Sequence, residues 1–328
     1  MNAKIDIPVL IIFFNRPKMV QKVFDAVKEA RPSKLFLYQD GPRTGRDDDV
    51  YNIQRSREVF QDKIDWDCEV HTLYQEKNFG CDPSEYLAIR WFFNNVEAGV
   101  ILEDDDVPSV SFFQYCKEML DKYKDDKRIS MVCGMNHLGT YQPYSSNSDY
   151  FFSKASSIWG WATWRRFVDL WDTKYSFLED EEKLKIMEKN FLHSKTMKSD
   201  RVRFDLYIKK CKEHRDSGKE FYETLVSSTR LLTGGLSIFP CKNMISNIGN
   251  EGESTHAPSS LKLLPRATQK VFNIKRYELT FPFKHPNEVV SNDKYAFKKE
   301  ALMTPSIWNY PFRWIETKIR ALIYKKRK

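Results

Sequence analysis

The sequence lacks the features that mark several common protein classes. Its six cysteines include no Cys-x-x-Cys pair, which argues against a zinc knuckle and a disulfide scaffold. Its longest apolar run, residues 7–14, is too short to cross a bilayer and is followed by Asn-Arg-Pro rather than by a signal-peptide cleavage site. It also contains no Asn-x-Ser/Thr glycosylation sequence. We therefore expect a cytoplasmic protein with reduced thiols and no spanning helix.

The composition is that of a folded protein with an uneven charge. The 328 residues are 41% hydrophobic and 30% charged, enough for one large domain or two small ones. The net charge is +8, which suits a polyanionic partner. Residues 305–328, however, hold seven basic residues against one acidic residue, a net +6 that leaves only +2 for the rest. This distribution disfavours a generally basic nucleic-acid-binding body.

The hydrophobic pattern predicts an α/β fold. Short apolar runs alternate with helical patterns in the first half, which is typical of βα units around a parallel sheet. We predict a Rossmann-like, mostly parallel central sheet with flanking helices and a helical C-terminal extension. The predicted strands cover residues 9–14, 34–38, 69–74, 99–102, 129–133 and 236–240, and a charged helical region covers residues 173–220.

Polar residues follow three of these strands. They are Asn15-Arg16, Asp40 and the run from Glu103 to Asp106. Ligands of open α/β sheets bind at the carboxyl ends of the strands, so these positions form a candidate site. Successive aspartates repel one another, and a hard divalent cation such as Mn²⁺ or Mg²⁺ relieves that repulsion. The alternative is a solvated acidic turn before the helix that follows.

The acidic run is part of a longer sequence motif. Val100–Asp106, followed by Pro108 and residues 112–115, resembles the Glu-Asp-Asp signature of GT-A nucleotide-sugar glycosyltransferases. The resemblance is to the N-acetylglucosaminyltransferase I family and to bacterial relatives in surface-polysaccharide synthesis. It covers residues 5–256, and its other short matches are Phe13-Phe14-Asn15-Arg16, Tyr38-Gln39-Asp40, Arg90-Trp91-Phe92, Gly134-Met135-Asn136 and Gly160-Trp161.

The resemblance implies a GT-A fold and a set of donor-binding residues. Arg16, with its neighbour Asn15, and Asp40 would hold the nucleotide. Glu103 and Asp104 would contact the nucleotide and the sugar, and Asp105 would bind the metal that bridges the diphosphate. Asp106 is an acid beyond the usual pattern, so the metal role stays open between Asp105 and Asp106.

Three further positions are implied with alternatives. An inverting transfer needs a carboxylate base. The resembled family has this acid shortly before its late strand, which implies Glu223 here, with Asp205 in reserve and a helix-surface glutamate as the alternative. His256 would be a metal ligand or a silent loop residue. Trp161 would pack on the sugar or belong to the core.

The C-terminal segment has a chemistry of its own. Apolar side chains share one face of a predicted helix within residues 311–328, which ends in Lys-Lys-Arg-Lys. This pattern suits an anchor on an anionic membrane surface, and the alternative is a helix docked on the catalytic domain. We predict a catalytic domain at residues 1–260, an extension at residues 261–328, and a peripheral location on the inner face of the cytoplasmic membrane.

Together these observations predict a metal-dependent glycosyltransferase. Its donor would be a nucleotide-diphosphate sugar, a UDP-sugar by preference, and its acceptor a glycan, lipid-linked or free, in capsular or other surface polysaccharide synthesis. An inverting mechanism is favoured, and no nucleic acid is expected as a partner. A sugar-nucleotide nucleotidyltransferase is the enzymatic alternative, although residues 13–17 lack the glycine-rich phosphate loop expected there. The non-enzymatic alternative is a basic protein that binds membranes or nucleic acids.

Overall fold

The computed structural model describes residues 1–144, 147–191, 197–250, 263–303 and 310–325. Its strands are β1 (Ile5–Phe13), β2 (Pro32–Gln39), β3 (Glu69–Tyr74), β4 (Ala98–Glu103), β5 (Asp106–Pro108), β6 (Ile129–Cys133), β7 (Tyr150–Ser153), β8 (Trp161–Trp164), β9 (Leu236–Pro240) and β10 (Ile245–Asn247). Its helices are α1 (Pro17–Ala30), α2 (Asp47–Glu58), α3 (Cys81–Asn95), α4 (Ser111–Lys122), α5 (Arg165–Val168), α6 (Glu181–Phe191), α7 (Met197–Ser217), α8 (Tyr222–Thr233), α9 (Arg266–Gln269), α10 (Asp293–Met303) and α11 (Tyr310–Lys325).

An eight-stranded sheet forms the centre of the molecule, with the order β3-β2-β1-β4-β8-β6-β9-β7. β1 pairs in parallel with β2 and β4, and β2 pairs in parallel with β3. β8 is antiparallel to both β4 and β6, β9 is parallel to β6, and β7 is antiparallel to β9. Six of the eight strands therefore run in one direction. The predicted α/β class, with a mostly parallel sheet, flanking helices and C-terminal helices, is confirmed.

β1 shows why the sheet lies inside the molecule. Val9, Ile11 and Phe13 pack into one hydrophobic cluster, whereas Leu10 and Ile12 pack into another. Successive side chains of a strand point to opposite faces, so β1 is buried on both sides by helices. This explains its continuous apolar run.

α2 and β8 are among the elements of the fold that were not predicted. α2 begins with three aspartates and has only one buried apolar residue, Ile53, so it carries no clear apolar period. β8 is a four-residue strand inserted antiparallel between β4 and β6, and its pairing depends on a long-range contact. The sequence around β8 is rich in aromatic residues, and it does not indicate in which direction this strand runs in the sheet.

Side chains beyond residue 260 belong to the same core as the sheet. Val271, Phe283, Tyr295 and Ala296 are buried, and Tyr295 contacts the rings of β7 and β9 residues. The proposed division at residues 260 and 261 remains a prediction. Among the described residues, none of the helices combines the length and the apolarity needed to cross a lipid bilayer.

A second, two-stranded sheet supports the acidic run. β5 pairs antiparallel with β10, which places Asn247 opposite Asp106. The turn between β4 and β5 therefore carries Asp104 and Asp105 at the carboxyl edge of the main sheet. The fold thus brings β10, which is more than 130 positions away in the sequence, next to the acidic run.

Candidate functional site

A cavity of about 270 Å³ opens at the carboxyl ends of β1, β2 and β4. Its walls come from the loop after β1, the end of β2, the start of α3 and the acidic run. The lining residues are Ile12, Phe13, Phe14, Asn15, Arg16, Tyr38, Asp40, Arg43, Asn78, Gly80, Cys81, Ser84, Glu85, Glu103, Asp104 and Asp105. Five of the residues predicted to bind substrate, and one predicted to bind metal, therefore meet in one cavity.

Three carboxyl groups of the acidic run lie close enough to share one cation. An oxygen atom from each of Glu103, Asp105 and Asp106 lies within 4.8 Å of the other two. Burial and then the charge of Asp105 raise the pKa of Glu103 to about 8. Burial also raises the pKa of Asp105 and that of Asp106. Because hard oxygen ligands suit Mg²⁺ and Mn²⁺, and a cation favours the ionised carboxylates, these residues fit a divalent metal.

Arg16 partly neutralises the acidic run. Its Nε donates to Asp104 Oδ2 at 3.1 Å, its Nη2 pairs with Asp104 Oδ1, and the same Nη2 lies 3.0 Å from Asp105 Oδ2. Burial alone would lower the pKa of Arg16, but the charges of Asp104 and Asp105 outweigh it and raise the pKa. Arg16 thus pairs with two of the four carboxyl groups of the acidic run, so it neutralises the run only in part.

Asp105 and Asp106 have different surroundings. Asp106 is fully buried; one of its oxygens accepts from Asn247 Nδ2 at 3.2 Å and the other from the Gly160 amide at 2.8 Å. Asp105 also accepts from Asn247 Nδ2, at 3.0 Å, but it lines the cavity. Asp105 is therefore the acid that faces the cavity. Asp106 instead connects β5 to the backbone of Gly160, just before β8.

Asp40 organises the loop before α3. Its carboxylate accepts hydrogen bonds from the amides of Gly41, Phe79 and Gly80 at 2.9–3.1 Å and from Asn78 Nδ2 at 2.9 Å. Burial raises the pKa of Asp40, and the hydrogen bond from the Phe79 amide opposes that rise. The side chain predicted to contact the nucleotide thus also shapes the wall that Asn78 and Gly80 contribute.

Asn15 is held by the ion pair between the buried Asp49 and the exposed Arg43. Its Nδ2 donates to Asp49 Oδ1 at 2.7 Å, and Asp49 accepts two further hydrogen bonds of 2.7 Å from the guanidinium of Arg43. The hydrogen bonds of Arg43 lower the pKa of Asp49. The Arg43 guanidinium lies 5.6 Å from the ring centroid of Phe14. Asp49 therefore fixes two cavity-lining side chains from outside the cavity.

Tyr222 ties α8 to the acidic run. Its hydroxyl donates to Glu103 Oε1 at 2.6 Å, and the next residue is Glu223. The charge of Glu223 contributes to the raised pKa of both Glu103 and Glu85, so Glu223 lies near the cavity. Its side chain is 53% exposed and is 3.9 Å from Lys210 Nζ. Glu223 is thus exposed to solvent.

The other predicted residues lie elsewhere. Asp205 is an exposed residue of α7 in the groove between α6 and α7, 3.9 Å from Arg201 Nε. Trp161 is fully buried in β8 within the core, so it offers no ring face to a sugar in this structure and the core alternative describes its placement. His256 lies outside the described residues.

Glu85, Tyr222 and Asn247 were not selected from the sequence. Glu85 lines the cavity, accepts from Cys81 Sγ at 3.3 Å, and has a pKa raised by burial and by the charge of Glu103. Its only sequence signal is its position in the first turns of a helix that follows a parallel strand. Tyr222 and Asn247 meet the acidic run through contacts 119 and 142 positions apart, which no local pattern reveals.

Comparisons with known proteins give little guidance. No family model matches the chain, and no curated protein matches it significantly. Among solved structures, it is similar at 10% identity to UDP-glucose pyrophosphorylase complexed with UDP-glucose, over 50% of this chain and 78% of that one. The TM-score is 0.30, which is too low to inform the site or the reaction.

Proposed function

We propose that this chain is a metal-dependent GT-A glycosyltransferase that moves a sugar from a nucleotide-diphosphate sugar, a UDP-sugar by preference, to a glycan acceptor. The observation that carries the proposal is the convergence of Arg16, Glu103 and Asp105 on one cavity at the carboxyl edge of a mostly parallel sheet. Nucleotide ligands of α/β sheets bind at that edge. The order of short motifs along the sequence supports the same reaction class.

Each cavity residue has a role in this proposal. Asp105, supported by Asp106, would hold Mn²⁺ or Mg²⁺, and the metal would neutralise the charge that develops on a leaving diphosphate. Arg16, at the end of β1, orients Asp104 and Asp105 and supplies positive charge to the nucleotide. Asn15 and Asp40 shape the nucleotide side of the cavity, and Glu103 accepts hydrogen bonds from sugar hydroxyls.

Glu223 is the proposed base. It lies in the first turn of α8, beside the cavity and accessible from solvent. As the acceptor oxygen attacks the anomeric carbon, Glu223 takes its proton, and the bond from that carbon to the diphosphate breaks with its electron pair moving to the diphosphate. This single displacement inverts the anomeric configuration. The proposed acceptor is a glycan of capsular or other surface polysaccharide synthesis.

The metal role is tested with Asp105→Asn. We expect UDP to raise the unfolding temperature of the wild type only when Mn²⁺ is present, because a ligand bound by the folded state stabilises it. Asp105→Asn should lose that response and lower sugar transfer about 100-fold or more. Asp121→Asn, an exposed change on α4, is the matched control. Full metal-dependent UDP binding and transfer by Asp105→Asn would show the assignment to be wrong.

The base is tested with a pair of variants. Glu223→Gln should bind UDP as the wild type does but lose turnover, whereas Asp205→Asn should retain it. If Asp205→Asn loses turnover and Glu223→Gln does not, the base is Asp205. Anomeric analysis of the product by nuclear magnetic resonance tests inversion in the same reaction.

A nucleotidyltransferase is the second candidate, since it also needs a metal and a nucleotide. The loop that joins β1 to α1 contains no glycine, which disfavours it. Pyrophosphate as the product, rather than UDP, would establish that reaction. Filter binding with DNA and RNA tests the non-enzymatic alternative, for which we expect no retention.

A further inference from the structure

The C-terminal helix α11 exposes its apolar side chains. Phe312, Trp314, Ile315, Ile319, Leu322 and Ile323 are between 46% and 72% exposed. Phe312, Ile315, Ile319 and Leu322 follow the spacing of one helical face. A contiguous exposed apolar face of this kind marks an interaction surface.

The polar side of the same helix faces the protein. Arg320 is only 12% exposed and its Nε donates to Glu316 Oε1 at 2.8 Å. The backbone amide of Arg266, at the start of α9, donates to the same Glu316 oxygen at 3.0 Å. A helix that docks on a globular core normally buries its apolar side, so the orientation of α11 is the reverse of the usual one. This arrangement leaves the apolar face for another partner.

The charge around α11 identifies that partner. Residues 305–328 carry a net +6, and the Lys318 ammonium lies 5.5 Å from the ring centroid of Trp314. Anionic lipid headgroups complement this charge, while apolar and aromatic side chains enter the acyl boundary. A second copy of the chain would bring a second +6 segment against the first, which is electrostatically unfavourable.

We propose that α11 is a docking surface for an anionic phospholipid membrane. The helix lies parallel to the membrane plane, with Phe312, Ile315, Ile319 and Leu322 inserted and Glu316 turned towards the protein. Its 16 residues extend over about 24 Å at the usual helical rise. The amphipathic pattern of the sequence does not say which side of α11 faces the protein. In the structure the side with Glu316 does, and the apolar side is exposed.

A chain of contacts connects this surface to the acidic run. α11 contacts α9 through Glu316, and the segment after α9 donates from the Asn273 amide to the Asn247 carbonyl at 3.0 Å. The Asn247 side chain in turn bonds to Asp105 and Asp106. The docking surface and the acidic run are therefore joined through α9 and the segment that follows it.

Vesicle sedimentation tests the docking surface without any donor or acceptor. Full-length protein should sediment with vesicles of phosphatidylcholine mixed with phosphatidylglycerol, about tenfold more than with phosphatidylcholine alone, and high salt should weaken the binding. Ile315→Ser/Ile319→Ser should lower binding about tenfold. The control, Val202→Ser/Leu206→Ser, removes an exposed apolar pair at the same spacing on α7 and should bind like the wild type.

Two outcomes would overturn the proposal. The first is equal sedimentation of the α11 variant and the wild type. The second is light scattering that shows a dimer which the α11 variant converts to a monomer, since that assigns the face to a second copy. Asp105→Asn should sediment like the wild type, so a failure of the proposed reaction and a failure of membrane docking give different results.

Discussion

Tyr222 connects two carboxyl groups that are distant in the sequence. Its hydroxyl donates to Glu103, 119 positions away, and its backbone carries the neighbouring Glu223. The buried ring of Tyr222 thus fixes the start of α8 relative to the end of β4. It is a positioning residue for the proposed sugar-binding acid and the proposed base.

Tyr222→Phe should reduce turnover and spare nucleotide binding. A hydrogen bond to a charged group contributes about 1.5–3 kcal/mol, equivalent to about 10- to 100-fold in rate. The measurement is kcat for sugar transfer beside the UDP-dependent rise in unfolding temperature. Tyr207→Phe, whose hydroxyl bonds to the Thr224 carbonyl at 3.4 Å, is the control. Unchanged kcat in Tyr222→Phe would exclude the positioning role.

His137 should make the protein sensitive to acid. It is 5% exposed, its ring stacks on Trp159 with 5.7 Å between centroids, and its Nδ1 has no partner among the described residues. Burial lowers the pKa of His137 well below 6.5. Below about pH 6.5 the unfolded chain takes up a proton that the folded chain does not, so stability falls as the pH falls.

The dependence of the unfolding free energy on pH gives the size of the effect of His137. One proton of difference costs about 1.4 kcal/mol of unfolding free energy per pH unit. Urea unfolding at several pH values below 6.5 should therefore show a smaller decline in His137→Phe than in the wild type. Parallel declines in the two proteins would contradict the assignment to His137.

The individual acids show the limit of local sequence information. The run from Glu103 to Asp106 and its place after a strand predicted the acidic site. Asp105 and Asp106 are chemically alike in the sequence, and only the tertiary structure separates them, because Asp105 lines the cavity whereas Asp106 is fully buried and accepts from the Gly160 amide. Glu85 was missed because a glutamate near a helix start is common, and only the tertiary structure brings it near Glu103, whose charge, after burial, raises its pKa.

At the scale of elements, the loop after β10 supports the proposed metal ligand. The Ile248 amide donates to the Asp105 carbonyl at 2.9 Å. A Cβ added at Gly249 would overlap Asp105 Oδ2. A side chain at position 249 would therefore push the Asp105 carboxylate away from its present place.

Gly249→Ala should displace Asp105 and weaken metal binding. We expect the Mn²⁺ concentration needed for UDP binding to rise about tenfold, as measured by thermal shift across a Mn²⁺ titration. Asp121→Asn, the exposed change on α4, is again the control. An unchanged Mn²⁺ requirement in Gly249→Ala would show that Asp105 accommodates the methyl group.

The strands were more predictable than their neighbours. β1 and β9 follow short apolar runs, which report burial directly, whereas the β-rich run of β3 forms a strand without a buried residue. α2 lacks an apolar period, and the antiparallel entry of β8 between β4 and β6 follows from packing of the whole sheet. The local sequence pattern therefore predicted the strands that are themselves apolar and lie in the core.

At the scale of the whole molecule, residues 271–296 and helix α11 differ in how they contact the core. Phe283 belongs to one hydrophobic cluster and Tyr295 to the other, on the opposite face of the sheet. Replacing a buried aromatic side chain with a small one costs about 3–5 kcal/mol, so residues 271–296 are needed for stability. The described contact of α11 with α9 is polar and exposed.

Two truncations should therefore behave differently. A chain that ends at residue 260 should unfold without a cooperative transition or fail to remain soluble. A chain that ends at residue 309 should keep its unfolding temperature within about 2 °C and its Mn²⁺ response, because it loses only an exposed helix. Calorimetry checks both chains, and cooperative unfolding of residues 1–260 would support the predicted domain boundary instead.

The sequence by itself determined the α/β class, the acidic run at a strand end, and the basic amphipathic segment at the C-terminus. These features are local, since they depend on the period of apolar residues and on the composition of short runs. The tertiary structure decided which acid faces the cavity, that Tyr222 holds Glu103, that Trp161 belongs to the core, and which side of α11 faces outwards. Each of these depends on residues that are far apart in sequence and meet only when the sheet and its helices pack.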